Sequence, residues 1–438
     1  MVRLIILLIG AAPFRRQWLV LLLLGVIFAL VGVGAVFNLT TWYLFGLIDL
    51  IGVVCLIEGA LGLASLLVIR PAHRRILRSH ALALILLGLL AIDTPDDNNI
   101  GATLFFGCGF LIDGLLRIAS AHTIRYRGWH NTLLIGMAEL VLAALVFSDW
   151  PVPHRQTMPF CVGILLFWSG FNLCRLALQF RRLPAGASVL GMPFFRKHNW
   201  HRSSRLPELL PPSAPTLVPL KVHVWTPTGS VADPQRRMVV DRYIAAVDAN
   251  GKISTGHAAM ELAPDLYISL YPAEELNVSP DQFRSLLRAH KETDVPGRYL
   301  PSHEEEVAAW VRPDRLVLFR HYNEAALRAF WAAYRQDTTY NLTRRNCSST
   351  VILALDAALE GVVGQTRPWY RFLLLLTDPN VWLLAILRNR GESMTWTPGL
   401  ALDYARLLRL VSECQRQRWL VRRLNGLRAH VQARLKER

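Results

Sequence analysis

Charge is scarce in this 438-residue chain: Asp, Glu, Lys and Arg make up 18% of it, against 53% apolar and aromatic residues. Soluble domains carry about a quarter charged residues, so a soluble fold throughout is excluded. Disorder is excluded too, because disordered chains combine low hydrophobicity with high net charge. Negative charge is the scarcer sign, 32 acidic residues against 48 basic, for a formal net charge of +16. Cysteine is also sparse. The six present, at positions 55, 108, 161, 174, 347 and 414, lack the spacing of a metal site. A signal-peptide layout is missing: the apolar start Met1–Ala12 is followed, not preceded, by Arg15 and Arg16, and no small-residue cleavage site ends it. This start reads as an interfacial lead-in to the first span.

Long apolar runs are abundant, and they crowd into the first 180 residues. A membrane-spanning helix needs about 20 mostly apolar residues, because the hydrocarbon core is about 30 Å thick and each residue rises about 1.5 Å. Trp18–Phe37, Tyr43–Ile69, Ile100–Ile118, Asn131–Phe147 and Met158–Leu178 qualify, and the shorter His80–Ile92 makes a sixth span with its flanks. Basic residues of short loops stay on the cytoplasmic side. Arg3, Arg15 and Arg16 precede the first span, and the loop Asn38–Trp42 is uncharged. Arg70, Arg74, Arg75 and Arg78 follow the second span, and Asp93, Asp96 and Asp97 fill the next loop. Arg117, Arg125 and Arg127 come next, then a loop in which Arg155 accompanies Asp149, then Arg175, Arg181, Arg182, Arg196 and Lys197. The alternation supports all six spans. It predicts that both termini, and everything after residue 180, face the cytoplasm, where disulfides are rare.

The spans repeat. Glu58-Gly59-Ala60-Leu61-Gly62-Leu63-Ala64-Ser65 and Asp113-Gly114-Leu115-Leu116-Arg117-Ile118-Ala119-Ser120 share the pattern acid-Gly-x-Leu-x-aliphatic-Ala-Ser, and Ser169-Gly170 follows at a similar interval without the acid. Three helical hairpins of about 55 residues, two spans each, account for this. Asp49, Glu58, Asp113 and Glu139 are intramembrane acids. Such residues are functional candidates by default, though pairing with Arg117 and its neighbours is the simpler reading. Hairpins with Gly-rich spans and an acid-Gly element resemble the HdeD-type acid-resistance membrane proteins. That resemblance implies a bacterial inner-membrane protein linked to stress tolerance, and it supplies no catalytic residue.

The second half has a different grammar. Residues 183–219 are Pro-rich and basic, a linker along an anionic membrane surface. Val222–Thr226, Arg242–Asp248, Thr255–Leu262, Leu266–Tyr271 and Arg315–His321 read as strands, the second and third forming a hairpin around Asn250-Gly251. Helices are expected from Ser279-Pro280-Asp281-Gln282 to His290, from Ser302 to Val311, over Glu324–Arg335 and over Thr350–Leu359. Strands followed by helices and a late strand indicate an α+β domain. Trp369–Leu387 suits two short helices, core or interfacial, and Leu400–Glu437 an Arg-rich helix better suited to anionic lipid than to nucleic acid.

Cys347 sits where the polar stretch Tyr340–Asn346 becomes an apolar helix. Unpaired amide N–H groups and the positive dipole end there favour a thiolate. His257, in the strand Gly256-His257-Ala258-Ala259-Met260, is the best partner to take the proton. A Gly-His-small-small-aliphatic strand, a second strand, helices, then Asn346-Cys347-Ser348 before an apolar helix resembles the permuted papain-like hydrolases, the NlpC-like and lecithin:retinol acyltransferase-like enzymes. The resemblance covers about residues 221–360. It implies a third polar residue about a dozen positions beyond the His, which is Ser269 here; Glu261, on the His257 face by period two, is the alternative. Tyr340, Asn346 and Ser348 are candidates to contact substrate.

The expected architecture is an all-α six-helix membrane bundle of three hairpin repeats (1–182), a linker (183–219), a permuted papain-like α+β domain (220–362) and C-terminal amphipathic and basic helices (363–438). The expected function is a membrane-anchored thiol hydrolase or acyltransferase acting without cofactor or metal. Its partners are anionic lipid and an acyl or peptide substrate; self-association is left open and nucleic acid is not expected. A non-catalytic membrane protein with a degenerate binding module, and a solute or proton transporter, are the competing expectations.

Overall fold

The computed structural model describes residues 1–37, most of 52–63 and of 81–89, 100–125, 129–195 except two positions, 218–229, 246–247, 253–274, and 291–413 except one. Asp49, Glu58, the Asn250-Gly251 turn, the helix expected from Ser279, most of the linker, Cys414 and the Arg-rich tail lie outside these residues. The chain divides into two compact units. A helical unit contains Gln17–Ala119, His130–Leu178 and Arg416–Arg438; a mixed unit contains Met1–Arg16, Ser120–Trp129 and Gln179–Gln415.

Two short helices, α1 (Val2–Ile9) and α2 (Ala11–Arg16), lead into α3 (Trp18–Val36), and α4 (Ile100–Ile124), α5 (Trp129–Phe147) and α6 (His154–Arg182) follow. Among the described residues, four helices are long and apolar enough to cross a membrane: Trp18–Val36, Thr103–Ile124, Trp129–Phe147 and Pro159–Arg182. Their outward side chains are apolar, such as Leu23 and Leu30 on α3, Ile112 on α4 and Leu134 on α5. Water would penalise such a surface and lipid would not.

Glycine sets the spacing within the helical unit. A Cβ on Gly32 would lie 2.4 Å from the Phe167 amide nitrogen, and one on Gly25 would lie 2.9 Å from the Gly170 carbonyl oxygen, so α3 and α6 touch backbone to backbone. Gly114 of α4 and Gly136 of α5 face each other in the same way. Arg117 donates to Asp113 at 2.7 Å and to Glu139 at 3.0 Å. Two of the four intramembrane acids are therefore paired with one arginine of the same layer.

The mixed unit is built on β-sheet. Its strands are β1 (Leu220–Trp225), β2 (Ala246–Val247), β3 (Ile253–Ser254), β4 (His257–Leu262), β5 (Leu266–Ile268), β6 (Leu270–Pro272), β7 (Val295–Tyr299), β8 (Arg315–Phe319) and β9 (Thr339–Tyr340). All pairs are antiparallel, in sheets ordered β5-β4-β1-β8, β2-β3 and β6-β7-β9. Two expectations are corrected here. The Thr255–Leu262 strand does not stay with its hairpin partner, because β4 leaves to pair with β1. Leu266–Tyr271 is not one strand: it breaks at Ser269, which falls between two sheets.

The helices of this unit are α7 (His303–Ala309), α8 (Glu324–Tyr334), α9 (Cys347–Leu359), α10 (Pro368–Leu376), α11 (Pro379–Ser393) and α12 (Pro398–Glu413). Helices α9 and α12 contact β4 and each other. Trp225, Ala259 and Tyr267 form a separate buried cluster with Leu300 against it. The period-two alternation of β1 and β4 thus feeds two cores.

The N-terminal segment is also corrected. It is no interfacial lead-in: Leu4–Ile9 are buried throughout, and α1 packs on α9 and α10. The Gly361 and Val363 N–H groups donate to the Leu7 and Leu8 carbonyls at 3.0 and 2.9 Å. Apart from Arg3, which pairs with Glu392, the helix is apolar all round and belongs in a core, which it completes beside α9. A buried bidentate pair ties α9 to α11, with Arg388 donating to Asp356 at 2.8 and 2.6 Å and to the Tyr404 hydroxyl of α12 at 2.9 Å.

Candidate functional site

The start of α9 is locally over-determined. Asn346 is the N-cap: its side-chain oxygen accepts from the Ser349 N–H at 2.8 Å, and the Ser349 hydroxyl accepts from the Asn346 N–H at 2.9 Å. The Asn346 amide nitrogen also donates to the Leu342 and Trp396 carbonyls at 2.8 and 2.9 Å. This side chain holds the turn; it is not available to a substrate. Just before it, fully buried Arg345 donates to the Tyr299 hydroxyl at 2.8 Å and to the Tyr334 and Asp337 carbonyls, and lies 4.0 Å from the centre of the Tyr334 ring. Cys347 is therefore the first helical residue of a turn anchored on both sides. Ser348 is buried, its hydroxyl 3.8 Å from the Cys347 sulfur.

His257 opens β4. Gly256 before it has φ +72°, and a Cβ there would lie 2.3 Å from the Trp225 carbonyl oxygen, so only glycine fits. The imidazole stacks on Tyr271, 4.1 Å between centroids and 16° between planes. Its Nε2 lies 2.9 Å from the Ser269 hydroxyl and 3.2 Å from Glu306 Oε1. Ser269 in turn donates to Glu306 Oε1 at 3.2 Å, Tyr271 donates to the same oxygen at 2.6 Å, and Tyr267 donates to Oε2. With its hydrogen turned to Glu306, the Ser269 oxygen accepts from Nε2–H. That fixes the tautomer and leaves Nδ1 of His257 with a lone pair.

The backbone N–H groups of Ala258, the residue after His257, and of Ser348 favour the Cys347 thiolate. Among the described residues there is no hydrogen bond between the thiol and the imidazole. Burial pushes the Cys347 thiol up, and the two N–H groups only partly offset it. Burial also pulls His257 down to about 3. The resting pair is thus a neutral thiol beside a neutral imidazole. The helix dipole does act on the sulfur, but desolvation outweighs it. Burial pushes Glu306 up, against the hydroxyl groups of Tyr267, Tyr271 and Ser269, which favour its carboxylate.

The structure therefore brings Cys347, Ser348, Ala258, His257 and Ser269 together. Tyr340 joins them: burial, and then the neighbouring Cys347 sulfur, push its phenol up. Glu261 is not part of the group. It accepts from Lys221 at 2.8 Å and meets His223 Nε2 at 2.7 Å. Sharing a strand face with His257 left it too far along that face to reach the ring. Glu306 takes the orienting position instead. The sequence pattern gave its helix and the Ser302 cap but did not single out Glu306, the one of the three first-turn acids that is buried.

His223, Glu261 and His303 have ligand atoms within 4.8 Å of one another, close enough to consider a metal. The two imidazoles, however, stack with centroids 4.1 Å apart and 19° between planes. Their in-plane lone pairs cannot meet at one ion, and Glu261 is already held by Lys221. A cleft in the same unit is lined by Thr343, Arg344, Ser349, Ile352, Met394 and Trp396 among others, but by neither Cys347 nor His257.

No family model, curated protein or solved structure matches the chain. The likenesses to HdeD-type and permuted papain-like proteins rest on the residues quoted for them.

Proposed function

We propose that this is a membrane-anchored thiol hydrolase or acyltransferase of the permuted papain-like kind, with Cys347 as nucleophile and His257 as base. The observation that carries this reading is the buried Glu306–Ser269–His257 chain, which holds Nε2 and leaves Nδ1 unprotonated beside the strand residue whose N–H favours the Cys347 thiolate. The S–H proton passes to His257 Nδ1 as sulfur bonds to an acyl or amide carbonyl carbon. The same proton then goes to the departing alcohol or amine, leaving a thioester. Water, or an acceptor alcohol or amine, completes the turnover. Amide N–H groups at the start of α9 stabilise the oxyanion, and Ser269 and Glu306 position the ring. No cofactor is needed for these steps.

The anchor we propose is a six-span bundle in a bacterial inner membrane, with both termini and the mixed unit cytoplasmic. Supporting this, Met1–Arg16, Ser120–Trp129 and Gln179–Gln415, three of the segments that the charge rule assigns to one side, belong to one compact unit. A role in acid or stress tolerance rests on the HdeD likeness alone.

The test is acyl-enzyme trapping on the full chain in nanodiscs, using p-nitrophenyl esters of short and long acyl chains read by intact mass. One acyl group on Cys347, lost in Cys347→Ala and in His257→Ala, is the expected result. Acylation that is no faster at Cys347 than at Cys108 would overturn the enzyme reading. It would leave a binding module, a second reading favoured by the missing thiol–imidazole hydrogen bond. The transporter reading is the less favoured, because Asp113 and Glu139 share an ion pair with Arg117, the simpler structural role for intramembrane acids.

A further inference from the structure

We infer that α10 and the outer face of α11 lie in the interface of an anionic bilayer, as a membrane-embedded shoulder of the unit that carries Cys347. The inference rests on the reading that α3 and α6 span that bilayer. Helix α10 is apolar on opposite faces. Phe372 and Leu375 are buried, while Leu373 is 62% and Tyr370 46% exposed; on α11, Ile386 is 58% exposed. A helix at a water-facing surface keeps its outer side polar, and this one does not.

The level of α10 is set by an aromatic cluster. Phe14 packs against Trp369 at 5.3 Å, Phe372 at 5.8 Å and Phe180 at 5.7 Å between centroids. Phe14 lies one helical turn before Trp18, where the first apolar span begins, and Phe180 lies two residues before the end of the last one. Both anchors of α10 are thus span ends, which stand at the lipid–water boundary. Arg16, Arg181, Arg182 and Arg367, all exposed, flank the same anchors and suit anionic headgroups.

On this inference the pair, long and apolar enough together to make a broken span, lies along the interface instead of crossing. Its helices meet at a 79° bend. The bend is closed by Asp378, which accepts from the Asn380 N–H at 2.9 Å, and by Trp382, whose ring N–H donates to the Leu376 carbonyl at 2.6 Å. The far end of α11 returns to the same unit, where Arg388 and Glu392 join Asp356 and Arg3. A segment that leaves and re-enters one compact unit with an apolar outer face matches an interfacial element.

Photo-crosslinking of the full chain in vesicles of phosphatidylethanolamine and phosphatidylglycerol tests this. A benzophenone amino acid replaces, one at a time, Leu373, Ile386, Leu30 on the first span, and the exposed Leu316 and Val311 as controls. The expected result is a phospholipid mass adduct at positions 30, 373 and 386, at least tenfold above that at 316 and 311. Adducts at 30 but not at 373 and 386, or equal adducts at all five, would overturn this inference alone. Chain-to-chain crosslinks at 373 would also overturn it, since a second copy would then cover the face. Absence of an adduct at 30 would remove the membrane reading itself, and this inference with it.

Discussion

Replacing Glu306 by Gln probes the site most directly. The side chain keeps its size and one of the two acceptor oxygens to which Tyr271 and Tyr267 donate, but the charge facing His257 is gone. In the proposed reaction His257 becomes an imidazolium, and Glu306 Oε1 lies 3.2 Å from its Nε2. At an effective dielectric of about 20, two unit charges at that distance attract by about 5 kcal/mol, which is a ceiling. A hydrogen bond to a charged group is worth about 1.5–3 kcal/mol net, because Ser269 remains to accept from Nε2. Taking about 2 kcal/mol, the thiolate–imidazolium pair becomes roughly 30-fold rarer at 1.36 kcal/mol per tenfold. The assay is the rate of S-methylthiolation of Cys347 by methyl methanethiosulfonate, followed by peptide mass against pH. In the native chain the rate should drop as pH falls through the Glu306 titration. That titration lies above the ordinary 4.5 because burial raises it, and protonation removes the same negative charge. The Gln variant should lack this step and react about 30-fold more slowly at neutral pH. His257→Ala should be slower still. A rate within twofold of native, with His257→Ala slow, would show that Glu306 already carries a proton and gives the imidazolium no charge support. Equal rates for all three proteins would refute the pairing of Cys347 with His257.

Two further predictions concern stability. Burial pushes Glu360 up to about 7 from 4.5, even though Ser188 and the Val189 N–H donate to it. An acid whose folded value is raised is penalised where it must ionise, so the penalty is absent below pH 4.5 and complete above pH 7, at roughly 3 kcal/mol. Glu360→Gln should therefore raise the thermal midpoint at pH 8 and leave it unchanged near pH 4.5; equal shifts at both would contradict the assignment. Asp356→Asn leaves the Arg388 charge buried with half its support and should destabilise the mixed unit by about 3–5 kcal/mol, whereas Asp356→Leu combined with Arg388→Met should recover most of that loss. Denaturant unfolding of both variants checks this, and equal losses would mean the ion pair is not what Asp356 contributes.

Much of the fold was legible locally. The Ser302 cap and the Asn346-Cys347 helix start are read from adjacent residues, and the structure has both. The resemblance to permuted papain-like enzymes, not local pattern, pointed to Ser269 as the partner of His257, and the two side chains meet. Other features depend on partners remote in sequence. Strand β7 has a half-exposed pattern with Pro296 and Gly297 inside it, so no alternation announces it. The choice between hairpin partner and β1 for β4 is a competition between sheets, which sequence periodicity does not weigh.

What the sequence by itself determined was composition-driven: apolar helices of membrane-spanning length in the first half, a strand-and-helix second half, and a cysteine at a helix start. Each follows from backbone hydrogen-bonding needs and side-chain periodicity within one segment. Only the tertiary structure decided that α1 belongs to the core beside Cys347, that Glu306 rather than Glu261 stands behind His257, and that thiol and imidazole rest uncharged. The physical reason is common to all three. Burial is a property of what packs around a group, and desolvation, which sets both the core and the protonation states, is not written in any one stretch of chain.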